Sequence, residues 1–230
     1  MCKITLLFHT ITWILYEHSG KCKCIRFGKG PLDQTLKDLK LCGNTLPWVD
    51  KIVHLGTTIT NEKDILAKDT MQKRAAYINR NNELLQEFYF AHPQSIIKIN
   101  GIYNTSFYGC VLWDQFGKEM ERVDKSWNVS LRRMLRIPFN SHRYFLEPVS
   151  RSKHVIFSLY ARFIKFTDKL KTCSKSLIRN LYRTARSDCR STTGRCLRKM
   201  MMKTNNTSTD CIKVSDIRRL SYNALPDDCA

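Results

Sequence analysis

The chain is short of acid. Its 230 residues hold 20 Asp and Glu against 39 Lys and Arg, a formal net charge of +19 with a pI near 9.7. Such an imbalance points to an anionic partner, most economically nucleic acid, or else an anionic membrane surface. Several chemistries are missing as well. Ten cysteines are present, but none forms a Cys-x-x-Cys pair and no two histidines stand at zinc-finger spacing, so a zinc site is not signalled and reduced thiols are the simpler reading. No Gly-x-Ser-x-Gly elbow accompanies the serines and histidines. Gly28-Lys29-Gly30-Pro31 has neither the length nor the trailing hydroxyl of a phosphate loop, and reads as a turn. The apolar opening, Ile4 to Tyr16, is too short to span a bilayer, is interrupted by His9 and has no small-residue cleavage site before Glu17. A buried strand or helix is expected there, in a protein of the nucleus or cytoplasm that is neither secreted nor membrane-spanning. No internal repeat is present, and nothing implies a cofactor, a metal or a small-molecule substrate.

The positive charge that is present is unevenly spread. Residues 151–230 carry eighteen cations against six anions, whereas residues 1–60 carry eight against four. The clearest pattern lies between Lys118 and Pro138. Met120, Val123, Trp127, Leu131 and Met134 recur at spacings of three and four, within roughly 80° on a helical wheel. Lys118, Arg122, Lys125, Arg132, Arg133 and Arg136 fall opposite them, between about 120° and 220°, with no carboxylate in that sector. Glu119 and Glu121 lie at its flanks, and Asp124 sits at the edge of the apolar side. The spacing predicts a helix of about 20 residues, stopped by Pro138, with one face for a core and a cationic crest. Such a crest is either a solvated face or a phosphate-contacting surface, and six cations without an interleaved anion favour the phosphate backbone.

Along the chain, Trp13–Tyr16 and Lys23–Phe27 read as an antiparallel hairpin, with Lys21, Lys23 and Arg26 as further cations. Leu32–Leu41 is read as a short helix and the stretch to Pro47 as a surface connection. Lys51–Thr60 reads as a β element in which Gly56 marks a bulge or a close backbone approach. Asn61 is a candidate cap for a helix from Asp64 to Phe90, with Ile65, Ala75, Ile78, Leu85 and Phe88 inward. Gln94–Phe107 and Lys153–Leu170 follow as helices, the first with Ile96, Ile99, Ile102, Tyr103 and Phe107 inward. The aromatics Phe107, Tyr108, Trp113 and Trp127 are read as core, and the histidines as packing or surface residues. Ser176–Arg186 is a candidate helix, and Ser191–Asp210 reads as low-complexity and mobile. The expected class is α+β and mainly α: a β remnant over residues 1–60, an antiparallel helical bundle over 61–172 and a basic, partly disordered tail over 173–230.

Four landmarks then resemble a family. Lys23-Cys24-Ile25-Arg26-Phe27-Gly28 looks like a palm strand, and Val53-His54-Leu55-Gly56-Thr57-Thr58-Ile59 like a Tyr-Leu-Gly-x-x-Ile strand, with His54 in place of the aromatic. Tyr108-Gly109-Cys110-Val111-Leu112-Trp113 is similar to a Tyr-Gly-x-x-x-Trp signature, and Leu131–Pro138 to a Leu-x-Arg-x-Leu-x-x-Pro segment. Their order resembles the palm end and thumb of reverse transcriptases of non-LTR retrotransposons (LINE-like and jockey-like elements). The resemblance implies an RNA-directed DNA polymerase fold that grips template–primer through its backbone. It also implies magnesium only in a full-length member, where paired carboxylates hold two ions. Here the sole Asp-Asp pair is Asp227-Asp228, without the family's preceding aromatic. The resemblance therefore implies a fragment or truncated gene product without catalytic residues. The alternatives are a host-retained basic nucleic-acid-binding module and a chain with no function.

Overall fold

The computed structural model describes residues 12–14, 22–27, 39–41, 43–61, 65–103 and 107–220. The chain is α+β and mainly α, with short antiparallel β pairs near its N-terminus followed by helices. It divides into two compact units, residues 1–69 and 70–230.

The first unit holds three two-stranded antiparallel pairs. β1 (Thr12–Ile14) pairs with β2 (Cys24–Arg26), Trp13 opposite Ile25, where the sequence predicts a hairpin. Beyond β2 the chain returns alongside it: Cys24 N–H donates to Pro47 O at 2.9 Å and Val49 N–H to Cys24 O at 2.8 Å. Cys22, Cys24 and Leu46 are buried there, with Leu39 and Trp48 packed against them. β3 (Lys40–Leu41) and β4 (Asn44–Thr45) close around Gly43, whose φ of 81° suits a residue without Cβ. Lys40 and Leu41 are therefore strand, not the end of a helix; the rest of the expected 32–41 helix lies outside the described residues, apart from Leu39.

β5 (Lys51–His54) and β6 (Thr57–Thr60) form a hairpin in perfect register. Its two-residue turn is Leu55-Gly56, with φ of 48° and 72°, the doubly left-handed pattern that matches strand twist. Gly56 is thus a turn residue and not a bulge, and a Cβ there would meet nothing within 4 Å. Asn61 does not cap a helix either. Its amide donates to Asp50 Oδ1 at 2.7 Å, while Asp69 Oδ1 accepts from Thr58 N–H at 2.9 Å.

Helix α1 spans Ala67–Glu87. Its inward residues are Tyr77, Asn81 and Leu84, whereas Ile65 and Phe88 are exposed and Ala75 faces solvent. The expected stripe was displaced because polar residues occupy the buried face. Asn81 donates to Ser130 Oγ at 2.9 Å, which satisfies an otherwise costly buried amide. Burial pushes the Tyr77 phenol up, with the nearby polar side chains of Ser130, Asn81 and Asn100 opposing. α2 (Pro93–Tyr103) starts on proline at its first turn, where no N–H is needed. It buries Ile96, Ile97 and Asn100, while Ile102 is exposed.

Gly109, left-handed at φ 78°, turns the chain into a 3₁₀ turn (Cys110–Leu112) that buries Trp113. Gln115 Nε2 donates to Cys110 O at 2.8 Å and pins this corner. Phe107, Tyr77 and Trp127 form a row of rings at centroid spacings of 5.6 and 5.8 Å, with Trp113 edge-on to Phe107. These rings are core, as expected, but Tyr108 is exposed.

α3 (Lys118–Leu135) buries all five predicted residues, Met120, Val123, Trp127, Leu131 and Met134. α4 (Leu146–Ser150) leads into α5 (Val155–Lys171), whose N-cap is the buried His154. His154 Nδ1 accepts from Ile156 N–H at 3.3 Å, so its Nε2 carries the proton that faces Asn128 Oδ1 and Asp124 Oδ1, each at 2.9 Å. The position of Asp124 beside the apolar stripe is thereby explained.

The candidate helix at 176–186 is present, and the Ser191–Asp210 stretch expected to be mobile holds a second helix over Thr192–Lys203. α6 (Ser176–Ser187), α7 (Thr192–Lys203) and α8 (Val214–Arg219) bury Tyr182, Cys196, Leu197, Met200 and Ile217. Ser191 caps α7 by accepting from Gly194 N–H at 2.9 Å. α5 packs against the 3₁₀ turn, α6 and α8, and α6 packs against α7. Among the described residues no helix is long and apolar enough to cross a membrane.

Candidate nucleic-acid interface

The amphipathic division of α3 sets out the candidate site. With its apolar stripe buried, its opposite side is held toward solvent, and Lys118, Arg122, Lys125, Arg133 and Arg136 are all exposed there. The structure separates these cations by what they already hold.

Arg132 is half-buried and turned away from solvent. Its Nε and Nη2 both donate to Ser141 O, at 3.0 and 2.7 Å, which fastens the turn after the helix. Arg136 occupies the left-handed C-cap position, φ 57°, where glycine is usual. Ile137 N–H donates to Arg132 O at 3.1 Å and Arg136 N–H to Arg133 O at 3.2 Å, closing a Schellman motif. From that cap the Arg136 guanidinium donates to Tyr89 O, reaches Ala91 O at 3.4 Å and lies 5.1 Å over the Tyr89 ring. It clamps the α1–α2 turn. Arg122 pairs with Glu119 at 2.6 Å, so the crest does meet one carboxylate from its flank. That pair is solvent-exposed and holds Arg122 only weakly.

Lys118 and Lys125 hydrogen-bond to no described residue, and Arg133 donates to Asn82 Oδ1 at 2.6 Å. α1 supplies a further cation that the wheel of α3 alone does not contain. Arg74 lies alongside, its Nη1 donating to Ser126 Oγ at 3.3 Å. Between the two helices runs a groove of about 240 Å³ lined by Arg74, Arg122, Lys125 and Arg133, with Ser126 and Ser130 as hydroxyls and Ile78 and Val129 as its apolar floor. No carboxylate lines it. Four guanidinium or ammonium groups in one groove suit phosphate oxygens, which accept from such donors, while the Ser126 hydroxyl is committed to Arg122 O at 2.9 Å and Ser130 Oγ accepts from Asn81.

The remaining expected contacts lie elsewhere. Lys23 is exposed just before β2, and Arg26 is half-buried within it; both belong to the first unit. Lys21 lies outside the described residues. The basic excess of the last third has a local focus unseen in the sequence. Lys153, Arg162, Lys165 and Arg218 line a cleft of about 290 Å³ on α5 and α8, and Lys153 Nζ donates to Arg218 O.

The buried thiols of Cys110 and Cys196 are not activated. Burial pushes the Cys110 thiol up, with Arg162 and Lys73 opposing. Burial likewise pushes Cys196 up to about 12, so neither is a thiolate nucleophile at neutral pH. Among the described residues no three His, Cys, Asp or Glu side chains cluster as metal ligands. Comparisons with protein-family models, with curated proteins and with solved structures found no match.

Proposed function

We propose that the chain is a palm-end and thumb segment of the kind found in non-LTR retrotransposon reverse transcriptases, and that it grips the backbone of nucleic acid without itself polymerising. The observation that carries the grip is the α1–α3 groove, where Arg74, Arg122, Lys125 and Arg133 converge with no carboxylate. The polymerase origin rests on the four sequence landmarks and their order. The lack of chemistry rests on the sequence, whose only Asp-Asp pair stands in Leu225-Pro226-Asp227-Asp228 without an aromatic partner.

A grip on backbone makes contacts that are independent of sequence and that release counterions. The test is the affinity of the chain for a fluorescent blunt duplex across a salt series. Four phosphate contacts give log K falling with log salt at a slope of about −3.6, the same for two unrelated duplex sequences. Absent or salt-independent binding refutes the grip. Primer extension with magnesium stays at background, and robust nucleotide incorporation by the purified chain refutes the assignment as non-polymerising.

A further inference from the structure

The end of the second unit where α1, α2 and α3 meet shares Arg133 with the proposed grip and carries further features that a duplex grip does not use. A cleft of about 820 Å³ opens there, lined by Asn82, Gln86, Tyr89, Arg133 and Arg136 above an apolar wall of Leu85 and Ile96. Its volume is in the range of small-molecule sites, and no carboxylate lines it. Two exposed aromatic rings follow lining residues in sequence, Phe90 directly after Tyr89 and Phe139 three residues after Arg136, without lining the cleft themselves. Phe90 is 95% exposed and Phe139 is 86% exposed. Phe90 lies in the α1–α2 turn, edge to face with Tyr89 at 5.4 Å. Phe139 lies in the turn that follows α3.

Both turns are fastened by crest arginines. Arg136 holds the first through Tyr89 O and Ala91 O, and Arg132 holds the second through Ser141 O. The rings are therefore presented from anchored backbone. The amides complete the set. Asn82 and Gln86 are one helical turn apart on α1 and so share a face. Arg133 already occupies Asn82 Oδ1, which leaves the Asn82 NH₂ to donate, and Gln86 hydrogen-bonds to no described residue.

We infer that this cleft takes unpaired nucleotides, with bases stacked on Phe90 and Phe139, base edges facing the Asn82 and Gln86 amides, and phosphate at Arg133. The chemistry favours this occupant over an apolar segment of another protein. Packing such a segment here would bury the Arg133 charge, whose donors Asn82 Oδ1 satisfies only in part, together with the Gln86 amide, at a high desolvation cost. A nucleotide instead offers a flat ring, hydrogen-bonding edges and an anion in one unit, and stacking on exposed rings is tolerant of base identity. The inference rests on the proposed backbone grip and adds a single-stranded site next to it.

The test compares the full chain with the double variant Phe90→Ala, Phe139→Ala, using a short fluorescent oligothymidylate and a blunt duplex as probes. Since both rings are almost fully exposed, the thermal melt of the variant should match the parent. Its affinity for the single strand should fall about tenfold or more, while duplex affinity stays within about twofold. Replacement of both residues by Trp should keep single-strand binding, and replacement by Leu should lose it, because Leu retains apolar area without a π face. Unchanged single-strand affinity in the Ala variant overturns the site. So does full retention by the Leu variant, which would mark an apolar docking patch. Self-association that the Ala variant abolishes, with single-strand binding intact, would assign the rings to a second copy and also overturn it. If neither probe binds, the backbone grip falls along with this site; if only the duplex binds, this site falls alone.

Discussion

Arg132 and Lys125 sit on one helix within the same cationic sector, yet the structure gives them opposite roles, and a pair of substitutions separates them. Arg132 places two donors on Ser141 O from a half-buried position. Hydrogen bonds from a charged group contribute about 1.5–3 kcal/mol to stability, and the second donor to the same oxygen adds less than the first. Arg132→Met keeps the aliphatic packing and removes the donors. At about 2–4 °C per kcal/mol for a chain of this length, its melting temperature should fall by about 3–12 °C. Its salt slope for duplex should stay that of the parent, because the guanidinium was never available to phosphate. Lys125 is exposed and bonded to no described residue, so Lys125→Gln should leave the melt unchanged. It should make the salt slope shallower by about 0.9, the share of one phosphate contact. The measurements are a circular-dichroism melt and fluorescence anisotropy across a salt series, both on the full chain. The reasoning is refuted if Arg132→Met flattens the salt slope while melting normally, or if Lys125→Gln leaves that slope unaltered.

Further substitutions probe the scaffold. A Cβ on Gly194 would lie 2.3 Å from Asp188 O and 3.0 Å from Ala185 O, so Gly194→Ala should destabilise by about 1–3 kcal/mol; an unchanged urea midpoint would show that α7 does not start against the end of α6. His154→Ala removes the α5 cap and strips Asn128 of its buried partner, with an expected loss of about 2–4 kcal/mol in chemical denaturation. Leu55 is an exposed, left-handed residue before Gly56, so Leu55→Asn should stabilise the hairpin by about 1 kcal/mol; destabilisation would argue against the turn geometry. Because the folded Cys196 thiol titrates at about 12 against 9.0 in the unfolded chain, deprotonation favours unfolding. Its contribution is intact below pH 9 and is lost as pH rises from 9 toward 12. In native protein at mildly alkaline pH, peptide-mapped alkylation should label exposed Cys189 and Cys211 well before buried Cys110 and Cys196; equal labelling rates would contradict the packing of α7.

How much of this was legible depends on which residues do the packing. On α3 the core is made by large apolar side chains at helical spacing, so the wheel located its buried face correctly. On α1 the same reasoning chose the wrong face, because Asn81 is buried through its hydrogen bond to Ser130 and Tyr77 through its packing between Phe107 and Trp127. A wheel weighted by apolarity cannot see that choice. Of the C-terminal helices, α6 is anticipated by the Ser176–Arg186 reading, whereas α7 and α8 escape it because Ser, Thr and Lys dilute their composition. A signal was nonetheless there: Cys196 and Met200 are four apart, Leu197 sits beside them, and Ser191 stands three residues before Gly194 as a cap. Gly56 was misassigned since one glycine in an alternating run fits a bulge or a turn equally well. For the site, the α3 cations were legible one helix at a time. Arg74 was not, being 52 positions from the serine it contacts. Nor could the carbonyls held by Arg132 and Arg136 be foreseen, because those acceptors are set by where the turns fold.

The landmarks that carry the family resemblance bear unequally on function once their physical roles are separated. Leu55-Gly56 makes a hairpin turn, Tyr108-Gly109 leads through a left-handed glycine into a 3₁₀ turn, and Trp113 fills the core beneath it. Folding alone is sufficient reason for each of those residues, whatever the chain binds. In Leu131–Pro138 the apolar residues close the core and two of the three arginines fasten neighbouring turns, so only Arg133 is left with an outward duty. The other three cations that line the groove, Arg74, Arg122 and Lys125, lie outside every landmark. A protein could thus keep all four landmarks and lose most of its grip, or keep most of its grip while the landmarks drift. It follows that binding measurements on groove variants test function, whereas substitutions within the landmarks, Arg133 apart, test the fold.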